Sequence, residues 1–119
     1  MKRILIIDDE PEILRHVKKR LEANGFACTA SLDPVEGLKE ARTEKPNLIL
    51  LDLMLPHMSG LGVLGEIKKD PALAKIPVVI LTALGDEEVA MSAMDAGAVG
   101  FLNKSCSPLE LVTMVQMYA

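Results

Sequence analysis

The sequence predicts an α/β fold in which five parallel strands form one sheet covered by helices on both faces. Three observations carry that expectation. Short apolar runs alternate five times with segments whose apolar residues recur at helical spacing. Two of those runs, Leu48–Leu51 and Val78–Leu81, are apolar without interruption, as strands are when both faces are covered. Helix-start and helix-stop residues punctuate the segments between them.

The elements follow in order. Arg3–Ile7 is a leucine- and isoleucine-rich run that ends at the acidic pair Asp8-Asp9. Glu10–Asn24 places Ile13, Leu14, Val17 and Leu21 on one helical face, with Pro11 suited to a first turn and Gly25 to the stop. Phe26–Ala30 is a weaker second strand, interrupted by Cys28 and Thr29. Asp33-Pro34-Val35-Glu36 has the form of a capped helix start, and that helix runs to about Glu44 before Pro46 breaks it. Leu48–Leu51 is the third strand, Pro56 through Gly60 a loop, and Leu61–Lys69 the third helix. Pro77 leads into the fourth strand, Val78–Leu81. Asp86–Ala96 is a fourth helix closed by Gly97. Ala98–Leu102 is the fifth strand, and the capping box Ser107-Pro108-Leu109-Glu110 opens a last helix that runs to near the end of the chain. No linker, repeat or low-complexity segment interrupts this alternation, so residues 1–119 read as one domain.

Composition narrows the function classes. Half of the 119 residues are apolar and a quarter are charged, which is a globular balance. No apolar run approaches the roughly 20 residues that cross a bilayer, and the run after Met1-Lys2-Arg3 stops at Asp8, so neither a membrane span nor a secretory signal is expected. The chain reads as cytoplasmic. With a net charge of −4 and scattered Lys and Arg, it carries no nucleic-acid footprint, and direct nucleic-acid binding is not expected. Cys28 and Cys106 stand at no metal-ligand spacing and read as small buried or loop residues in a reducing compartment.

The informative polar residues lie where the apolar strands end: Asp8 and Asp9 after the first, Asp52 after the third, Thr82 after the fourth, Lys104 soon after the fifth. In open parallel sheets ligands bind outside the carboxyl ends of the strands, where strand order reverses. With strand order 2-1-3-4-5, strands one and three are neighbours there, and Asp8, Asp9 and Asp52 would share a shallow pocket with Thr82 and Lys104 on its rim. Taken singly, an Asp or Lys after a strand is most often a cap or a solvated loop residue. Five such residues on one edge are harder to dismiss. Carboxylates held that close repel one another unless a cation joins them, and Mg²⁺ takes oxygen ligands of this kind. Lys104 adds a compact positive charge and Thr82 a hydroxyl. Together these groups match phosphoryl transfer, in which an Asp nucleophile forms an acyl phosphate.

These residues resemble those of the response-regulator receiver domain, the phospho-acceptor module of two-component signalling. The resemblance rests on IIDDEPEI, LLDLMLPHMSG, VVILTA and AGAVGFLNKS, in that order and spanning the chain. It implies a flavodoxin-like (βα)5 doubly wound fold of order 2-1-3-4-5, similar to chemotaxis regulators. It implies Asp52 as the phosphorylated residue, and Asp9 as a direct Mg²⁺ ligand assisted by Asp8 through water. The backbone carbonyl of Met54 is implied as a third protein ligand. Thr82 and Lys104 are implied as holders of the phosphoryl oxygens, and Phe101 as the aromatic that moves with Thr82 on activation. The implied donor is a sensor histidine kinase or a histidine phosphotransfer protein. The implied reader is a downstream output protein, or an output domain missing from this chain. Such a domain catalyses its own phosphorylation but turns over no external substrate, so it is not an enzyme in the usual sense. One departure stands out: family members usually have Pro after the lysine, with a cis bond, and this chain has Ser105. Because a cis bond before a non-proline residue costs about 2.5–4 kcal/mol, a trans Lys104–Ser105 bond and a different loop are expected. Cys106 also stands where an aromatic is common.

Rival readings meet specific obstacles. An aspartyl-phosphate hydrolase needs a second Asp two residues after the nucleophile, where this chain has Met54. A flavin carrier needs a phosphate-cradling loop after the first strand and stacking aromatics; here stand Asp8-Asp9-Glu10 and three aromatics in all. A degenerate, binding-only receiver draws support from Ser105 alone. His16 and His57 read as surface residues, with His16, Ile13 and Arg15 placed for a share of partner contact. On the last helix Leu111, Val112, Val115 and Tyr118 form the apolar face, leaving Met114 and Met117 largely off it. With Met91 and Met94 on the fourth helix these outline an interaction patch, and the same face leaves room for a homodimer through helices four and five.

Overall fold

Alternation along each strand decides the layers, because successive side chains point to opposite faces of a sheet. In the computed structural model, which describes residues 1–55, 58–83 and 86–119, ten elements follow one another. They are β1 (Arg3–Ile7), α1 (Pro11–Glu22), β2 (Ala27–Ser31), α2 (Pro34–Glu44), β3 (Leu48–Asp52), α3 (Gly60–Lys69), β4 (Val78–Thr82), α4 (Glu87–Asp95), β5 (Gly100–Asn103) and α5 (Pro108–Tyr118). The strands form one parallel sheet in the order β2-β1-β3-β4-β5, as expected. Leu5, Ile7, Ile49, Leu51, Val78 and Ile80 point into a core closed by α2, α3 and α4. Their alternates Ile4, Ile6, Leu48, Leu50, Val79 and Leu81 point into a second core closed by α1 and α5. β3 and β4 are buried along their whole length, which is why they read as unbroken apolar runs.

Caps fix where the helices begin. Asp33 accepts from the Glu36 amide at the start of α2, and Ser107 with Glu110 closes a complete capping box at α5. Ser59, expected in the loop, caps α3 by accepting from the Gly62 amide, so α3 begins one residue earlier than expected. The strand and helix ends differ from expectation by one or two residues. The largest change is in β5, expected at Ala98–Leu102 and found at Gly100–Asn103. Gly97 turns the chain with φ 113°, and the Ala98 amide still bonds Ala93 at the end of α4, so the sheet ladder starts later. α1 stops at Glu22 rather than Asn24, and β2 is displaced one residue to include Ser31. Tyr118, expected on the buried face of α5, is 37% exposed, while Leu111, Val112 and Val115 are buried as expected. No helix among the described residues is long and apolar enough to cross a membrane.

Candidate functional site

β3 runs on through Asp52 and β4 through Thr82, so two of the expected site residues are the last residues of buried strands. Among the described residues the buried polar side chains are Asp8, Ser31, Asp52 and Thr82, each at the carboxyl end of a strand or just beyond it. Asp8 is fully buried and Asp52 is 2% exposed, whereas Asp9 and Glu10 are exposed. One carboxylate oxygen from each of Asp8, Asp9, Glu10 and Asp52 lies within 4.8 Å of the others.

Backbone amides orient the two buried carboxylates. Met54 N–H donates to Asp52 Oδ1 at 3.1 Å, and Glu10 N–H donates to Asp8 Oδ1 at 3.0 Å. Lys104 enters the pocket itself rather than its rim. Its Nζ lies 3.1 Å from Asp8 Oδ2, 3.1 Å from Asp52 Oδ2 and 2.6 Å from Glu10 Oε1. The ammonium donates to Asp8 Oδ1 at 3.3 Å, and the two buried Oδ2 atoms have no protein group other than that ammonium within reach. Burial pushes the Asp52 carboxyl up to about 6, and the charge of Asp8 adds to this; the Met54 amide and Lys104 pull the other way. Burial opposes the charge on Lys104, yet Glu10, Asp52 and Asp8 more than offset it and hold the ammonium above its ordinary range.

Four carboxylates thus cluster together with one ammonium, which contacts three of them. An all-oxygen donor set with excess negative charge suits a hard divalent cation such as Mg²⁺. The other expected participants are placed as follows. Thr82 donates its hydroxyl to the Leu102 carbonyl at 3.3 Å, holding β4 to β5. Phe101, in register with Ile80, lies on the α4 side of the sheet and is 42% exposed. The Met54 side chain is exposed while its amide serves Asp52.

Sequence reasoning missed two contributors. Glu10 is the closest partner of Lys104, and its only signal was its place directly after the acidic pair. Gly60 packs so tightly on Asp52 and Leu53 that a Cβ there would strike their backbone, and its amide donates to the Leu53 carbonyl at 2.8 Å. The small residue after the Ser59 cap therefore seats α3 against the end of β3.

The remaining residues sort plainly. His16 is exposed on α1 in a shallow groove with Glu12, Ile13, Arg15 and Lys19, while His57 lies outside the described residues. Cys28 is buried, its thiol pushed up to about 11 chiefly by burial, and Cys106 is half-buried. Met91 and Met117 are exposed, but Met94 and Met114 pack against the two cores, so the methionine patch is narrower than expected. Every peptide bond among the described residues is trans, Lys104–Ser105 included.

Comparison with known proteins bears on the family and the fold. A family model for the response regulator receiver domain matches residues 4–116. The chain is 39% identical over 116 residues to the DNA-binding dual master transcriptional regulator RpaA of Synechocystis sp., covering 98% of this chain and 48% of that protein. It is 37% identical over 115 residues to the phosphate regulon transcriptional regulatory protein PhoB of Escherichia coli, covering 97% and 50%. The chain spans about half the length of the curated relatives it matches. The crystal structure of the receiver domain of NtrX from Brucella abortus superposes with a TM-score of 0.92 at 31% identity, covering 97% of this chain and 96% of that one. The chemotaxis protein CheY4 of Vibrio cholerae, 24% identical, shares the fold with a TM-score of 0.92, covering 100% and 99%.

Proposed function

Since this chain belongs to the family of response regulator receiver domains, we propose that residues 1–119 act as a phospho-acceptor domain with Asp52 as the acceptor. The observation that carries the proposal is the buried, amide-oriented Asp52 carboxylate with Lys104 at 3.1 Å and an acidic cluster of excess negative charge around it. The donor is the phosphohistidine of a sensor histidine kinase or a histidine phosphotransfer protein. A carboxylate oxygen of Asp52 attacks phosphorus as the P–N bond breaks. The donor imidazole leaves with the bonding electrons and takes a proton from water, and Asp52 is left as an acyl phosphate.

Asp9, Asp52 and the Met54 carbonyl would hold Mg²⁺ directly and Asp8 through water. When bound, the ion neutralises charge on the phosphoryl oxygens and between the carboxylates. The Met54 amide orients Asp52. Lys104 exchanges carboxylate partners for a phosphoryl oxygen, and Thr82 gives up the Leu102 carbonyl to donate to another. Movement of Thr82 opens space beside β5 for Phe101, which starts exposed. The phosphoryl group shifts the domain only by binding that rearranged state more tightly. The surface it alters is the α4-β5-α5 face, read by an output protein, by an output domain on the same polypeptide, or by a second copy. The domain turns over no external substrate and contacts no nucleic acid itself.

The test is intact mass after incubation with Mg²⁺ and a small acyl phosphate, with Asp52→Asn alongside. Gain of one phosphoryl group by the parent alone supports the proposal. No gain by the parent, even after rapid quench or with beryllofluoride as a stable mimic, overturns it.

A further inference from the structure

β5 ends at Asn103, and the chain then turns through Lys104 and Ser105 before α5. The turn is tied three ways. The Cys106 amide donates to the Asn103 carbonyl at 2.9 Å, closing a four-residue β-turn with Lys104 and Ser105 at its centre. The Asn103 side-chain oxygen accepts from the Ser105 amide at 2.8 Å and from the Ser105 hydroxyl at 2.6 Å. The Lys104 amide donates to the Thr82 carbonyl at 2.7 Å, fastening the turn to the end of β4.

Asn is favoured at the first position of such a turn because its side chain can bond the backbone two residues on. Here the bond works only because residue 105 has an amide N–H to give. A flexible four-carbon side chain reaches a fixed target best when its backbone is fixed, and the Lys104 ammonium must span from this turn to Asp52. The turn also forms one wall of a groove shared with Glu10, Ile13 and Ala83, open to solvent beside the ammonium.

We infer that Asn103 is a positioning residue for phosphoryl transfer, acting through its side-chain bonds to Ser105 to aim Lys104 at the group on Asp52. The inference rests on the proposal that Asp52 is the acceptor. Small displacements of a group that meets transition-state charge lower rate more than they lower stability.

The experiment measures the rate of phosphoryl gain from a small acyl phosphate with Mg²⁺, in the parent and in Asn103→Ala, Asn103→Asp and Ser105→Ala. Asn103→Ala loses both bonds to Ser105 and is expected to slow the reaction about fivefold or more, since one hydrogen bond alone is worth about that factor. Asn103→Asp keeps an acceptor oxygen at the same reach and recovers most of the rate. Ser105→Ala keeps the amide donor and loses about twofold, within the range for a weaker hydrogen bond. In a Lys104→Met background Asn103→Ala is expected to change nothing further, which a general loss of structure would not reproduce. A parent rate in Asn103→Ala, or the same slowing with and without Lys104, overturns the positioning role while leaving Asp52 as acceptor. No phosphoryl gain by the parent overturns the acceptor reading and this inference together.

Discussion

Two ion clusters sit near opposite ends of the same sheet, and they are built to different ends. At the amino end of β1, Arg3 lies 3.4 Å from Glu44, and Thr29 bridges them by accepting from Arg3 and donating to Glu44. Those side chains are 42% and 29% exposed, charges balance, and water can solvate what the protein does not. At the carboxyl end, Lys104 is 12% exposed and serves Asp8 and Asp52, which are buried, together with Glu10. There the negative charge exceeds the positive, and two buried oxygens have no protein partner but that one ammonium. A balanced, exposed pair adds little to stability and can be lost cheaply; an unbalanced cluster around two buried carboxylates is costly until a cation completes it. The contrast is what supports the proposal of a phospho-acceptor site at the second cluster.

Lys104→Met removes the one ammonium among the buried carboxylates and is expected to lower the stability of the metal-free protein by about 3–5 kcal/mol, read by urea denaturation. Mg²⁺ should restore part of the loss. The Asp52 carboxyl holds its proton more tightly in the folded chain, at about 6, than at its ordinary 3.8. Stability should therefore fall as pH rises from about 4 to 6 and then level off, by up to about 3 kcal/mol without divalent cations. Asp52→Asn should flatten that fall and be the more stable protein at pH 7. Gly60→Ala drives a methyl group into the backbone at the end of β3 and is expected to cost about 2 kcal/mol, on the scale of overpacking, while slowing phosphoryl gain. Glu44→Gln, at the other end of the sheet, should change stability by less than about 1 kcal/mol and leave phosphoryl gain untouched.

Sequence reasoning reached the layers and the acidic edge because both are written in local pattern. Apolar runs mark β3 and β4, capping residues mark α2 and α5, and charged residues break the pattern where strands end. What it missed depends on distant partners. Glu10 reads as one more solvated acid until the fold brings Lys104 to it from 94 residues away. Gly60 reads as a loop residue until α3 closes on β3. The start of β5 shifted because Ala98 bonds back to Ala93, a choice between helix end and strand start that hydropathy does not distinguish. Ser105 gave a correct expectation of a trans bond, but the Asn103 oxygen that holds the turn was visible only in the structure. Met94 and Met114 kept to the cores because methionine fills gaps as readily as it meets partners.

The most direct measurement of the central claim is the thermal unfolding midpoint at pH 7 of the parent and of Asp52→Asn, each with and without saturating Mg²⁺. The claim is that the carboxyl edge carries charge that only a cation completes. It predicts that Mg²⁺ raises the parent midpoint, that Asp52→Asn without metal already melts above the metal-free parent, and that Mg²⁺ raises the variant less. A parent midpoint indifferent to Mg²⁺, together with an Asp52→Asn variant less stable than the parent, would contradict it.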